Sequence, residues 1–451
     1  MHSNDIRKVF RRRPRIARLG LVAASALVAG WLVSGAAVAG ELFAPVTAGE
    51  LNSARQSAPK SAIDPARQSF VKLDRAELAA HMAPLGSDRE PGRARQARGL
   101  DGLIDMTLAP GVTVTLKRTE LDRVRGGGYI WTGDVLGISG ATASFLIEAG
   151  EILGTVHLGD RIFKIEPMTG ALHRITEFDP RDVPGDIAVP VPAGLEGAAP
   201  AGSAPDLVAT RGKRRTKITY LVAYTARARA ASANIAQEIK FATAWSNQAF
   251  KKSGAKIKFK LVKTMLARNY DEGPETVGAF NGNINDLTFG AALAKVRRKR
   301  DKKKADLVSL IRDKSPAGGI CGIGWVVPNP SPATANFGFS VSGRGICLPS
   351  TFPHEAGHNM GLNHDRFTQG GNPPNSEYNF GYVNLLALIR TIMSYDDECQ
   401  ASGTSCMEIQ YFSTPRKRFQ GNRIGVAAGN PGAADAARKL NENRKRIAAY
   451  R

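Results

Sequence analysis

Twelve consecutive residues constrain this chain more than any other stretch: His354-Glu355-Ala356-Gly357-His358-Asn359-Met360-Gly361-Leu362-Asn363-His364-Asp365. They hold three of the seven histidines in 451 residues. His354 and His358 are four apart, so on a helix they lie one turn above each other on one face. Gly361 stands where such a helix can end in a left-handed residue. His364 follows where a chain that has turned can bring a third imidazole to the same point. With Glu355 alongside, the pattern is a three-nitrogen metal site with an acid at its edge. A nitrogen-only tripod suits Zn²⁺ and disfavours Ca²⁺ or Mg²⁺. It leaves a fourth position for water, whose pKa the ion lowers towards neutrality. Glu355 can stay off the metal, take the proton as that water attacks a carbonyl, and deliver it to a leaving amine. The ion meanwhile stabilises the developing oxyanion. The implied chemistry is metal-assisted amide hydrolysis.

The rest of the chain is long enough for two to three domains with a sizeable core. Its hydrophobic content of 43% argues against wholesale disorder. The net charge of +22 is distributed unevenly, at +6 over 1–39, −5 over 40–210 and +21 over 211–451. An acidic middle beside a basic C-terminal part suits a covering segment and the domain it covers; the bland alternative is that both charges only confer solubility.

Residues 1–39 open with Arg7, Lys8, Arg11, Arg12, Arg13, Arg15 and Arg18, continue as an apolar run from Leu19 to about Val38, and end in Ala37-Val38-Ala39. That is the pattern of a cleaved signal peptide; an uncleaved anchor is the rival, weakened by the Ala, Gly and Ser content of the run. Residues 40–179 are expected to form a propeptide, polar at first with a helical pattern at Phe70–Met82. It turns β-rich from about 112, where short runs of β-formers are broken by Gly, Asp and Pro. Residues 180–215 carry six prolines among Ala and Gly and end in Arg211-Gly212-Lys213-Arg214-Arg215. This reads as an extended linker with a basic processing site, although such charge runs are usually only solvated. Residues 216–451 read as one α/β domain. Strands are expected at Lys217–Tyr224, Lys256–Val262, Ala305–Ile311, Ile323–Val327 and Phe337–Val341, and helices at Ala230–Lys252, Leu287–Lys304, Thr351–Leu362 and Ala433–Tyr450. The four cysteines, Cys321, Cys347, Cys399 and Cys406, are an even number behind an export signal and suggest two disulfides. Of three pairings, the loop-local one joins Cys321 to Cys347 and Cys399 to Cys406. No CxxC spacing supports a thiolate zinc site.

The stretch HEAGHNMGLNHD resembles the HExxHxxGxxH pattern of the metzincin zinc endopeptidases. Its HN and HD pairs make it most similar to the reprolysin (adamalysin) branch, in particular its bacterial members. Thr391-Ile392-Met393-Ser394-Tyr395 resembles the family's methionine turn, and Tyr411-Phe412-Ser413-Thr414-Pro415 the segment that walls the S1′ pocket. The resemblance covers about 215–451 and implies an α/β (α+β) catalytic domain with a twisted mixed sheet and an active-site helix. It implies one catalytic zinc ion held by His354, His358 and His364, Glu355 as general base, Gly361 permitting the turn and Met393 beneath the site. Tyr395 stands where animal reprolysins usually have proline. As in the astacin and serralysin branches, that makes it a candidate catalytic residue, with a packed aromatic as the alternative. The thiol switch of many metzincin propeptides is absent, so latency would come from occlusion or another ligand. Substrate in this family lies extended beside an edge strand, for which Ile323–Val326 is the candidate.

The leading expectation is therefore a secreted or periplasmic monomeric zinc endopeptidase, made as a zymogen. Proteins or peptides are its substrates, its own propeptide is its intramolecular partner, and no stable membrane insertion follows signal removal. The alternative is an exported polyanion- or nucleic-acid-binding protein with a structural zinc site, suggested by the basic run Lys295–Lys304. That run lacks interleaved aromatics and any specific nucleic-acid motif.

Overall fold

A computed structural model describes residues 40–57, 67–82, 103–192, 214–313 and 319–451. The expected signal peptide, most of the linker and part of the basic cluster lie outside the described residues. The first part of the described chain is a nine-stranded antiparallel sheet. Its strands are β1 (Phe43–Pro45), β2 (Gln68–Leu73), β3 (Leu103–Ala109), β4 (Val112–Arg123), β5 (Tyr129–Val135), β6 (Thr142–Glu148), β7 (Glu151–His157), β8 (Ile162–Pro167) and β9 (Leu172–Phe178), in the order β1-β2-β9-β8-β7-β6-β5-β4-β3. The sheet curls until its ends meet: the Leu42 N–H donates to the Asp105 carbonyl at 2.9 Å, and the Asp105 N–H to that of Gly40 at 3.2 Å. Closure of this kind removes exposed edges. Met106, Leu116, Trp131, Phe145, Phe163 and Ile165 fill the inside. Two helices, α1 (Ala48–Ser57) and α2 (Arg75–Met82), complete this part. The expected helical stretch at 70–82 is thus a strand followed by a helix, and β structure begins well before 112.

The second part is a six-stranded sheet. It contains β10 (Ile187–Pro190), β11 (Thr216–Tyr224), β12 (Ile257–Leu266), β13 (Leu307–Arg312), β14 (Gly322–Val326) and β15 (Phe339–Gly343), in the order β10-β14-β15-β13-β11-β12. All pairs are parallel except β14 against β15. The inner strands β13, β14 and β15, and most of β11, are buried on both faces, as parallel strands are when helices cover them, whereas β10 and β12 at the edges are partly exposed. Along β11, Ile218, Tyr220 and Val222 join one core, while Leu221 and Ala223 join the other. Chain order adds α3 (Ala226–Ala230), α4 (Ile235–Ser253), α5 (Val277–Thr288), α6 (Ala294–Lys303), α7 (Thr351–Asn359), α8 (Arg366–Gln369), α9 (Asp397–Ala401) and α10 (Ala436–Ile447). Helices α4, α7 and α10 lie on the first core, and α5 and α6 on the second. The expected helix over 287–304 is two helices: Gly290 and a short 3-10 turn separate α5 from α6.

Helix α4 also receives the barrel. Ile130, Leu146 and Leu153 point out of the β5–β7 wall into the α4 core, whereas Trp131 and Phe145 point inward. The period of two along these strands thus serves two hydrophobic contacts rather than one core and solvent. Charge adds to the fit. Lys240 of α4 pairs with Glu148, and Lys251 with Glu120 and with Asp122 at 3.0 Å. Buried Arg344 reaches Glu238 at 2.9 Å and the barrel residue Glu166 at 3.6 Å. Burial alone would raise the Glu166 carboxyl, but Lys164, Arg174 and Arg344 hold it well below the usual range.

One expectation fails in an informative place. Residues 180–192, read as open linker, are ordered, and β10 within them pairs with β14 from Ile187↔Ile323 to Pro190↔Val326. The strand expected to offer a free edge to substrate is therefore covered by the chain itself. Both disulfides take the loop-local pairing: Cys321–Cys347 ties the start of β14 to the segment before α7, and Cys399–Cys406 closes a short loop.

Candidate metal centre

Helix α7 is short because its C-terminus must turn sharply. Met360 ends it, Gly361 takes φ +91°, and the Leu362 N–H donates back to the Gly357 carbonyl at 3.0 Å. A side chain at Gly361 would also strike Asn443 and the carbonyls of Val327 and Pro328. The turn brings His364 to the other two histidines. His358 Nε2 lies 3.2 Å from His354 Nε2 and 3.0 Å from His364 Nε2, and all three side chains are buried. The remote nitrogens fix the tautomers: His354 Nδ1 donates to the Ile392 carbonyl at 2.6 Å and His358 Nδ1 to that of Leu362 at 2.9 Å. Burial, then the neighbouring imidazoles, pushes His354 and His364 well below the ordinary histidine range, and burial pushes His358 to about 4. His354 and His358 so oriented aim Nε2 lone pairs at the point where His364 Nε2 also arrives, an arrangement that suits a cation between the three rings. Two nitrogens about 2.0–2.1 Å from one tetrahedral zinc ion would stand about 3.3 Å apart, close to the spacings seen.

Glu355 is fully buried beside the tripod, and neither carboxylate oxygen has a hydrogen-bond partner among the described residues. Burial, then the Asp186 carboxylate, pushes its pKa well above the ordinary value. The carboxylate fits only because β14 presents Gly322 and Gly324. A Cβ there would come within 2.3 Å of Oε1 and 2.7 Å of Oε2, respectively. Asn359, one turn on, donates to the carbonyls of Trp325, Phe337 and Phe339 and so clamps α7 to β14 and β15.

The methionine turn lies beneath. Met393 is fully buried, with Sδ 2.7 Å from where a Cβ on Gly357 would stand. Asp365 accepts from the Tyr395 N–H at 3.0 Å, tying that turn to the histidine stretch. The Tyr395 ring stacks parallel to His354, with centroids 5.8 Å apart, and its hydroxyl is 2.9 Å from His364 Nε2. Every site residue singled out in the sequence between 354 and 395 is thus brought to one place.

Sequence reasoning missed three groups of residues. Gly322, Gly324 and Gly357 carry no chemistry of their own and show their role only when the packed neighbours are known. Arg390 lines the cavity beside His354, donates to the Ser394 carbonyl and to Glu408, and leaves its buried Nε without a partner among the described residues. Asp186, from the supposed linker, enters the site: one of its carboxylate oxygens lies within 4.8 Å of ligand atoms of both His354 and Glu355.

This geometry agrees with comparisons to known proteins. Residues 214–413 match the family model Reprolysin_5, metallo-peptidase family M12. A protein named peptidyl-Asp metalloendopeptidase from Xanthomonas campestris pv. campestris is 24% identical over 358 residues, covering 76% of this chain and 80% of that protein. One of the same name from Stenotrophomonas maltophilia is 26% identical over 455 residues, covering 95% and 98%. Another from Pseudomonas aeruginosa is 29% identical over 248 residues, covering 50% and 38%. The matched segment is a reprolysin-like metallopeptidase domain. The chain is accordingly a zinc metalloendopeptidase.

Proposed function

We propose that this chain is an exported zymogen whose released catalytic domain hydrolyses internal peptide bonds, with Glu355 as the general base. The observation that carries the reading is the convergence of three neutral imidazoles on one point with an unpartnered, buried carboxylate beside them. His354, His358 and His364 would hold the zinc ion, which when bound supplies Lewis acidity toward water and the scissile carbonyl. Glu355 takes the proton of the attacking water and returns it to the leaving nitrogen. Its high proton affinity in a buried pocket favours the first of these transfers, and Gly322 and Gly324 leave room for the carboxylate. Tyr395, with its hydroxyl at the edge of the tripod, is placed to donate to the developing oxyanion once the covering segment has left.

Export is supported by the N-terminal pattern and by the two disulfides, which persist in oxidising compartments. No helix among the described residues is long and apolar enough to cross a membrane. Latency is supported by the strand at 187–190, which lies where substrate would have to pair. The relatives' name points to bonds beside aspartate, and we extend that preference to this chain; Arg390, lining the cavity next to His354, is the cation that would receive such a side chain.

The test compares casein cleavage by the processed protein, its Glu355→Ala variant and a chelator-treated sample. Loss of the base lowers the rate by on the order of 10²–10⁴-fold, and chelation abolishes cleavage until Zn²⁺ is restored. Equal cleavage by all three would sink the reading.

A further inference from the structure

The segment that covers the site does more than lie over it. The Gly185 carbonyl accepts from the Cys321 N–H at 2.8 Å, which extends the β10–β14 ladder back to the metal centre. At Asp186 the strap is gripped on both backbone sides by one phenol. The Asp186 N–H donates to the Tyr395 hydroxyl at 2.7 Å, and that hydroxyl donates to the Asp186 carbonyl. Gly185 makes this approach feasible, because a Cβ there would stand 3.3 Å from two carbons of the Tyr395 ring. With its backbone held this way, Asp186 sends its side chain inward. Oδ2 lies 3.8 Å from His354 Nε2, the side chain is 8% exposed, and Oδ1 is buried without a hydrogen-bond partner among the described residues. An anion buried beside a second carboxylate, Glu355, and without a donor for one of its oxygens is costly. A divalent cation among the three histidines removes that cost.

We propose that Asp186 is the fourth protein ligand of the metal ion in the uncleaved chain, and that Tyr395 is the latch that presents it. This rests on the reading that His354, His358 and His364 hold the ion. On one tetrahedral ion two donors about 2.0–2.2 Å away stand about 3.3–3.6 Å apart, so Oδ2, at 3.8 Å from His354 Nε2, needs to close by only a few tenths of an ångström. The group offered to the tripod is a side-chain carboxylate, not a peptide carbonyl, because the Asp186 carbonyl is engaged by Tyr395. The strap therefore fills the position meant for water while presenting no bond for cleavage. Release requires Tyr395 to let go, which frees the same hydroxyl for substrate.

The test uses the full chain in the Glu355→Gln background, which prevents self-processing, loaded with Co²⁺. The visible absorption spectrum and the rate of Co²⁺ loss to a chelator are read for the parent, for Asp186→Ala, for Asp186→Asn and for Asp179→Ala. Asp179 is a strap acid occupied with Arg181. Asp186→Ala shifts the cobalt bands and speeds metal loss by on the order of 10-fold or more, since loss of mere outer-shell partners already gives that. Asp186→Asn keeps the backbone contacts and shifts the bands as well, whereas Asp179→Ala leaves both readouts unchanged. Identical spectra and loss rates in all four would overturn the assignment of Asp186 while leaving the metal site standing. Failure of the parent to bind Co²⁺ would remove both.

Discussion

Under the proposed aspartate preference, Arg390 is the residue that would decide most about substrate. Its guanidinium is half committed, to the Ser394 carbonyl at 2.7 Å and to Glu408 at 3.0 Å, yet Nε stays buried and unpartnered among the described residues. A cation so placed rewards an incoming carboxylate with a charge-assisted hydrogen bond worth about 1.5–3 kcal/mol. Arg390→Ala should accordingly lower kcat/KM for peptides with aspartate beside the scissile bond by about 10- to 100-fold. It should change cleavage of matched alanine peptides little, which competition kinetics on the processed enzyme would reveal. Equal losses on both substrates would assign Arg390 a structural role through Glu408. Nothing in the local sequence marks this arginine among 62 Lys and Arg residues. Its significance comes from the cavity it lines.

At the scale of elements, the seat of α7 governs the site. The helix is held below by the methionine turn and above by β14, and both contacts are bought with glycine. Gly357→Ala places a Cβ 2.7 Å from Met393 Sδ and 3.2 Å from a Leu362 methyl. Overpacking there costs about 1–3 kcal/mol, against a helix-propensity gain of at most about 1 kcal/mol. Denaturant unfolding should therefore show net destabilisation. The reverse is expected for Gly282→Ala in α5, where a Cβ meets nothing within 4 Å. The elements also show what the sequence could tell. The spacing of His354, His358, Gly361 and His364 is local and periodic, so helix, turn and tripod were all legible. So were β11, α4 and β13, whose apolar periods match their burial. β10 was not legible: its four residues, Ile-Ala-Val-Pro, sit in Pro/Gly/Ala-rich chain, and their strand character comes from β14, some 136 residues away. Helix α5 was missed for a related reason. Its Gly and Asn residues have poor helix propensity, and the Thr276 cap and the packing of Phe280, Ile284 and Leu287 override it.

For the whole molecule, the barrel and the peptidase domain form a joint held by α4, by Arg344 and by the strap. His157, at the end of β7, belongs to that joint. Burial, then Arg390, pushes its pKa down to about 4. The unfolded chain therefore binds its proton more tightly than the folded one. Stability from this group is present above pH ~6.5 and is lost as pH falls from there towards 4. Glu166 adds a loss only at lower pH, because its folded pKa is depressed and its contribution persists down to the ordinary carboxylate range. The stability of the uncleaved chain should thus fall as pH drops from about 6.5 towards 4. A His157→Gln variant should flatten that part of the profile. An unchanged slope in the variant would place the sensitivity elsewhere. The charge asymmetry read from the sequence has the same sign as the ion pairs of Lys240 and Lys251 with Glu148, Glu120 and Asp122, but it gave no sign of the strap at the metal site.

Metal-dependent cleavage of internal peptide bonds is the activity on which every role proposed for these residues depends. The most direct measurement is mass spectrometry of the new termini produced when the processed protein digests an unfolded protein substrate, with and without chelator and with Glu355→Gln. Internal cuts concentrated beside aspartate, absent under chelation, restored by Zn²⁺ and missing in the variant, are the predicted result. No internal termini, or the same termini whether or not metal and Glu355 are present, would contradict it.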